Sequence, residues 1–239
     1  MVPGPLRADS APAHVAPTTH CQVKICGLTR PTDAQMAEAA GARYLGVIFA
    51  GGPRLVTEAQ AAEVLGRPRA GVQRVGVFGA VASAEILAVA DRLDLDVIQL
   101  HGDPTPDEVL ALRRRTHRRL WPVLRVDAAG LPGEAAALTR AAGALVLDAK
   151  VSGQLGGTGV ALDWAGLQTA VASLRREAPE ALLVLAGGIR PERVAQAMAL
   201  ITPDVLDVSS GVEVSPGVKD AGAVDRLLAA VAAFSEKAS

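Results

Sequence analysis

Two short strings place a reactive side chain on either side of an apolar one: Lys24-Ile25-Cys26 and Gln99-Leu100-His101. Side chains alternate along a β-strand with period two, so Lys24 shares a face with Cys26, and Gln99 with His101. Arg125, Asp148 and Asp207 end or interrupt three more apolar runs. Inward-pointing faces would bring a thiol, an imidazole, a guanidinium and two carboxylates to one mouth. A thiolate removes a proton and a carboxyl group delivers one, so this set suits general acid–base chemistry. Lys24, on the same face as Cys26, is expected to lower the pKa of that thiol. Taken singly, each residue has a plainer reading: a strand-end cysteine as a small buried hydrophobe, an aspartate after a strand as a helix cap. Their shared position on five apolar runs favours function.

The elements that must position them repeat one rhythm from Gln22 onward. Apolar runs fall at residues 23–25, 44–49, 74–78, 97–100, 120–126, 144–147, 182–186 and 205–208. Stretches with helical spacing alternate with them at residues 32–40, 57–65, 83–92, 106–116, 134–142, 164–175, 191–200 and 221–233. Thr32 before Asp33, and Pro106 and Pro191 before acidic residues, are helix-start signals; Gly41 and Gly143 stand where helices should stop. Strands that alternate with helices run parallel, because each return needs a crossover. Eight units predict an α/β fold, a single-domain (β/α)8 TIM barrel over residues 22–239, ahead of an open doubly wound sheet. Active sites of such barrels lie at the C-terminal ends of the strands, where the residues above fall.

Glycine clusters complete the pattern. Gly187-Gly188 ends the seventh run, and Ser209-Ser210-Gly211 follows the eighth. Glycine lets backbone amides approach an anion, and barrels of this kind bind phosphate with the loops after strands seven and eight. Both segments are therefore candidate phosphate loops. A third cluster, Gly153-Gln154-Leu155-Gly156-Gly157-Thr158-Gly159, lacks the dinucleotide fingerprint and reads as a mobile active-site loop beside Asp148.

Lys and Arg total 24 and Asp and Glu 25, a net charge of -1 that disfavours a nucleic-acid binder. No run of about 18 apolar residues suggests a membrane span. Residues 1–21 carry four prolines and no periodicity, and read as a disordered extension without the apolar block of a secretory signal. A cytoplasmic, reducing compartment with free thiols is expected. Cys21 and Cys26 would stand roughly 16 Å apart in an extended strand, beyond disulfide reach. The four histidines do not cluster, and no metal site is expected.

These motifs together resemble phosphoribosylanthranilate isomerases. Lys24-Ile25-Cys26-Gly27-Leu28-Thr29, with Asp33-Ala34 and Ala39-Ala40-Gly41-Ala42, is similar to the family's opening. Gln99-Leu100-His101-Gly102 is similar to its fourth-strand motif, and Leu147-Asp148 with Asp163-Trp164 to its sixth-strand region. Ala186-Gly187-Gly188 with Pro191-Glu192-Arg193-Val194 resembles the seventh. Asp207-Val208-Ser209-Ser210-Gly211-Val212-Glu213, followed by Ser215-Pro216-Gly217-Val218-Lys219-Asp220, resembles the eighth.

The resemblance implies a cofactor-free Amadori rearrangement of a small phosphoribosyl substrate, in a monomer or homodimer. It implies Cys26 as general base and Asp148 as general acid. Arg54 would hold an aryl carboxylate, Asp207 would orient the amine or sugar hydroxyls, and Gln99 and His101 would contact substrate. Gly187, Gly188, Ser209, Ser210 and Gly211 would hold the phosphate. Three departures from the family pattern stand out: the loop before Arg54 is short and lacks a lysine, Ala149 replaces the usual threonine after Asp148, and the N-terminal extension is atypical. The lysine acid of indole-glycerol-phosphate synthases, and the paired aspartates of dual-substrate isomerases, fit this chain less well than Lys-x-Cys.

Overall fold

The computed structural model describes residues 20–67, 69–126, 130–149 and 163–238, the side chains of Ala149 and Ala238 excepted. The glycine cluster at 153–159 and the extension up to residue 19 lie outside the described residues. Eight parallel strands close into a barrel in chain order. They are β1 (Gln22–Ile25), β2 (Tyr44–Ile48), β3 (Gln73–Phe78), β4 (Val97–Leu100), β5 (Arg119–Val126), β6 (Ala144–Ala149), β7 (Leu182–Leu185) and β8 (Val205–Val208). The eight expected strands are all present, β4 and β8 with the expected ends and the others shifted by one or two residues. Pairing of β1 with β8 closes the seam and sets Lys24 opposite Asp207.

The strands are apolar nearly throughout because both faces are covered. Ile25, Val47, Ile98, Leu145, Leu185 and Leu206 point outward against the helices. Tyr44, Val75, Trp121, Val146, Val184 and Val205 fill the interior. The Tyr44 and Trp121 rings lie 4.9 Å apart inside it.

Eight helices follow the strands: α1 (Pro31–Ala39), α2 (Glu58–Leu65), α3 (Ser83–Arg92), α4 (Pro106–Arg113), α5 (Ala135–Ala142), α6 (Trp164–Glu177), α7 (Val194–Ile201) and α8 (Ala221–Ala238). Local sequence explains their limits. Thr57 and Thr105 form capping boxes with Gln60 and Glu108, satisfying the first free amides of α2 and α4. Helix α1 begins one residue before Thr32, at Pro31, because proline suits the first helical position. Gly143 ends α5 in the left-handed conformation, its amide donating to the Thr139 carbonyl. The stretch expected to be one helix from Pro191 starts as a 3-10 turn, Pro191–Arg193, before α7.

One element was not anticipated. After β8 the chain makes a 3-10 turn (Ser210–Val212) and a small antiparallel hairpin, β9 (Glu213–Ser215) with β10 (Val218–Lys219). Thr29 Oγ1 donates to the Gly217 carbonyl at 2.6 Å, tying this hairpin to the loop after β1. None of the described helices is long and apolar enough to cross a membrane.

Candidate active site

The barrel has two open ends. At the N-terminal ends of the strands a cavity of about 340 Å³ is lined by Arg43, Tyr44, Gln73, Asp96, Arg118 and Arg119, among others. Its guanidiniums are engaged by the protein: Arg118 donates to the Leu95 carbonyl and to Asp91, and Arg119 to Gln73. The reactive residues gather at the other end.

Lys24 and Cys26 sit at the end of β1, facing inward as period-two alternation requires. A side chain at Gly46 of β2 would press on both, its Cβ falling 3.0 Å from Lys24 Cε and 3.1 Å from Cys26 Sγ. Gly46 therefore makes room for the pair; the sequence reading overlooked it. Lys24 is fully buried and its Nζ donates to Asp207 Oδ2 at 2.8 Å. Burial disfavours its charge, but the Asp207 carboxylate and the Cys26 sulfur outweigh that, and its pKa rises.

Cys26 departs from expectation. Burial pushes the thiol pKa up, and the adjoining Asp207 carboxylate adds to this. The Lys24 ammonium acts downward, as anticipated, but does not win. The expected direction of the Lys24 effect holds, but complete removal from water disfavours the anion more than the Lys24 and Lys219 ammoniums favour it. Cys21, the second free thiol, has its pKa pushed up to about 12 by burial and Asp204.

His101, at the end of β4, brings its Nε2 to 3.8 Å from Asp148 Oδ2 on β6. Burial first, and the Arg125 cation second, lower the imidazole pKa to about 4, so the ring is neutral. Asp207 raises that pKa and Lys24 lowers it, both by less than burial and Arg125 do. Arg125 Nη2 donates to the His101 carbonyl at 2.9 Å. Gln99 is buried one layer below, its Oε1 without a hydrogen-bond partner among the described residues.

The two glycine loops after β7 and β8 touch. A Cβ on Gly211 would collide with the Ile189 carbonyl, so only glycine allows this approach. Gly187 and Gly188 take φ of 82° and 70°, which glycine alone adopts readily. Arg193 stacks over Trp164 with its guanidinium carbon 3.9 Å from the ring centroid, fixing the turn that follows.

Arg54 reaches the mouth from the loop after β2 and is buried. Gly27, at φ 72°, lies beneath it; a Cβ there would collide with Arg54 Cδ and fall 2.9 Å from Ser209 Oγ. Arg54 forms a two-pronged pair with Glu213, its Nη2 2.6 Å from Oε2. That partnership, and Lys219 beyond it, were missed by sequence reasoning. The available signal was a lysine and a glutamate flanking Pro216-Gly217, in a segment with little apolar content to bury.

Comparison with known proteins gives a consistent result. Residues 23–230 match the family model for N-(5'phosphoribosyl)anthranilate (PRA) isomerase. An N-(5'-phosphoribosyl)anthranilate isomerase of Pseudomonas fluorescens (strain Pf0-1) is 38% identical over 209 residues, 87% of this chain and 97% of that protein. The crystal structure of phosphoribosyl anthranilate isomerase from Thermus thermophilus superposes with a TM-score of 0.74 at 34% identity, covering 89% of this chain and 99% of the other. Another structure of this enzyme, in complex with reduced 1-(o-carboxyphenylamino)-1-deoxyribulose 5-phosphate, gives 0.71 at 28% identity over the same shares.

Proposed function

The chain belongs to the N-(5'-phosphoribosyl)anthranilate isomerase family, and from that premise we propose that Cys26 and Asp148 are its catalytic base and acid. The reaction is the rearrangement of N-(5-phosphoribosyl)anthranilate to 1-(2-carboxyphenylamino)-1-deoxyribulose 5-phosphate in tryptophan biosynthesis.

The chemistry needs one acid and one base on a single sugar. Asp148, protonated, gives its proton to the furanose ring oxygen, and the ring opens to an iminium. Cys26, as thiolate, then takes the proton on sugar C2. The enolamine that results tautomerises to the ketone. The neutral His101 beside Asp148 does not compete as a cation, which leaves proton delivery to the carboxyl group. The high pKa of Cys26 limits the ionised fraction but makes the thiolate a stronger base when it forms. Lys24 supplies the local positive charge that the thiolate requires.

The remaining roles follow from position. Asp207 Oδ1, without a hydrogen-bond partner among the described residues, is available to the substrate amine or a sugar hydroxyl. Gln99 Oε1 offers an acceptor deeper in the barrel. The touching loops at Gly187-Gly188 and Ser209-Ser210-Gly211 present backbone amides to the phosphate. Arg54 takes the aryl carboxylate, as a guanidinium does through paired hydrogen bonds. The observation that carries this reading is the placement of Cys26 beside the Lys24–Asp207 pair, and of Asp148 3.8 Å from His101, at the same end of one closed barrel.

Loss of anthranilate fluorescence on supplying substrate tests it. Cys26→Ala and Asp148→Asn should each slow turnover by about 10²–10⁴-fold. An inactive parent, or two variants at full rate, would defeat the assignment.

A further inference from the structure

Arg54 is not a free cation. Its Nε donates to Glu213 Oε1 at 2.9 Å and to Oε2 at 3.1 Å, and its Nη2 to Oε2 at 2.6 Å. Glu213 Oε1 also accepts from Lys219 Nζ at 2.6 Å and from the Gly217 amide at 3.3 Å. Lys219 Nζ in turn donates to the carbonyls of Cys26 at 2.6 Å and Ser209 at 3.3 Å. One ammonium thus joins the base-bearing end of β1, the loop after β8 and the partner of Arg54. The Lys219 backbone amide is itself anchored on Asp33 Oδ2 at 2.9 Å.

This cluster has two properties beyond packing. Both flanking cations and the carboxylate between them are buried, so one positive charge in the group has no counter-charge within it. And Glu213 occupies the Nε–Nη2 edge of Arg54, while among the described residues no hydrogen bond engages Nη1. The guanidinium is therefore presented in one orientation before any ligand arrives, which removes the cost of ordering a long side chain on binding.

Resting on the carboxylate role given to Arg54 above, we propose that Glu213, braced by Lys219, is the positioning residue that sets selectivity for a carboxylated aryl amine. Glu213 touches no reacting atom; it acts through the direction in which Arg54 points.

The test uses two stable probes on the full chain: reduced 1-(o-carboxyphenylamino)-1-deoxyribulose 5-phosphate and its counterpart without the ring carboxylate. Calorimetry should show the parent preferring the carboxylated probe by about 100-fold, as expected for a paired, charge-assisted contact. Glu213→Gln should cut that preference to about tenfold or less by weakening the carboxylated probe alone. Arg54→Gln should abolish it. Because Glu213→Gln leaves Lys219 buried without its anion, Glu213→Gln/Lys219→Met is measured beside it and should show the same reduced preference.

Full preference in either Glu213 variant, or equal weakening of both probes, overturns the positioning role while leaving Arg54 as the carboxylate holder. Preference retained in Arg54→Gln overturns the carboxylate role, and the proposal falls with it. A parent that binds neither probe defeats the whole site assignment.

Discussion

Lys24 and Asp207 meet at 2.8 Å across the seam where the first and last barrel strands pair, with both side chains buried. A charge pair in that position is costly to halve. The desolvation of each ion is offset only by the other, so removal of one leaves an unpaired charge in the interior.

Lys24→Met and Asp207→Asn should each destabilise the protein by about 3–5 kcal/mol in urea unfolding. Lys24→Met/Asp207→Leu, which removes both charges, should recover much of that loss and remain inactive. A double variant with the summed loss of the two singles would mean that the pair is not coupled. Lys24→Met should also move the pH profile of Cys26 alkylation further upward, since the ammonium is what restrains the thiol pKa. An unmoved profile would separate the lysine from the thiol.

His101 makes stability depend on pH in a definite direction. Its pKa falls from 6.5 to about 4 on folding, so the unfolded chain binds its proton first. The stabilising contribution is complete above pH 6.5 and is lost as pH falls toward 4. Between those limits the parent should lose on the order of 3 kcal/mol more than His101→Gln, read from denaturant midpoints across the range. Parallel pH curves would place the neutral imidazole in doubt. Imidazole resonances should likewise stay in the neutral position at pH 6.

Gly211→Ala should part the two loops that touch at the Ile189 carbonyl. If those loops hold the phosphate, the effect falls on binding: KM rises about tenfold or more, because small misplacements of a positioning group are expensive. Inorganic phosphate, as a competitor, should lose affinity in parallel. A variant with unchanged KM and lower kcat would point instead to the hairpin beyond.

Much of this molecule was legible from the chain. The strands stood out because a sheet covered on both faces needs continuous apolar runs, and the interrupting Lys24, Gln99 and Asp207 were visible against them. Cys26 and Lys24 could be put on one face by counting alone. The balance of forces on Cys26 could not, since it depends on how completely the finished barrel excludes water. Nor could the partner of Arg54: Glu213 lies 159 positions away, and no local pattern joins them. The hairpin after β8 escaped notice because its strands are three and two residues long, too short for alternation to register.

The distance along the chain between Lys24 and Asp207, 183 positions, has a consequence for biosynthesis. A ribosome delivers the first strand well before the eighth. Until that late stretch emerges, the lysine has not met its carboxylate and the thiol beside it is not yet sealed from water. The first strand is thus completed only by the eighth, and a message cut short between β7 and β8 yields a polypeptide whose buried lysine has no carboxylate partner and whose sheet cannot close.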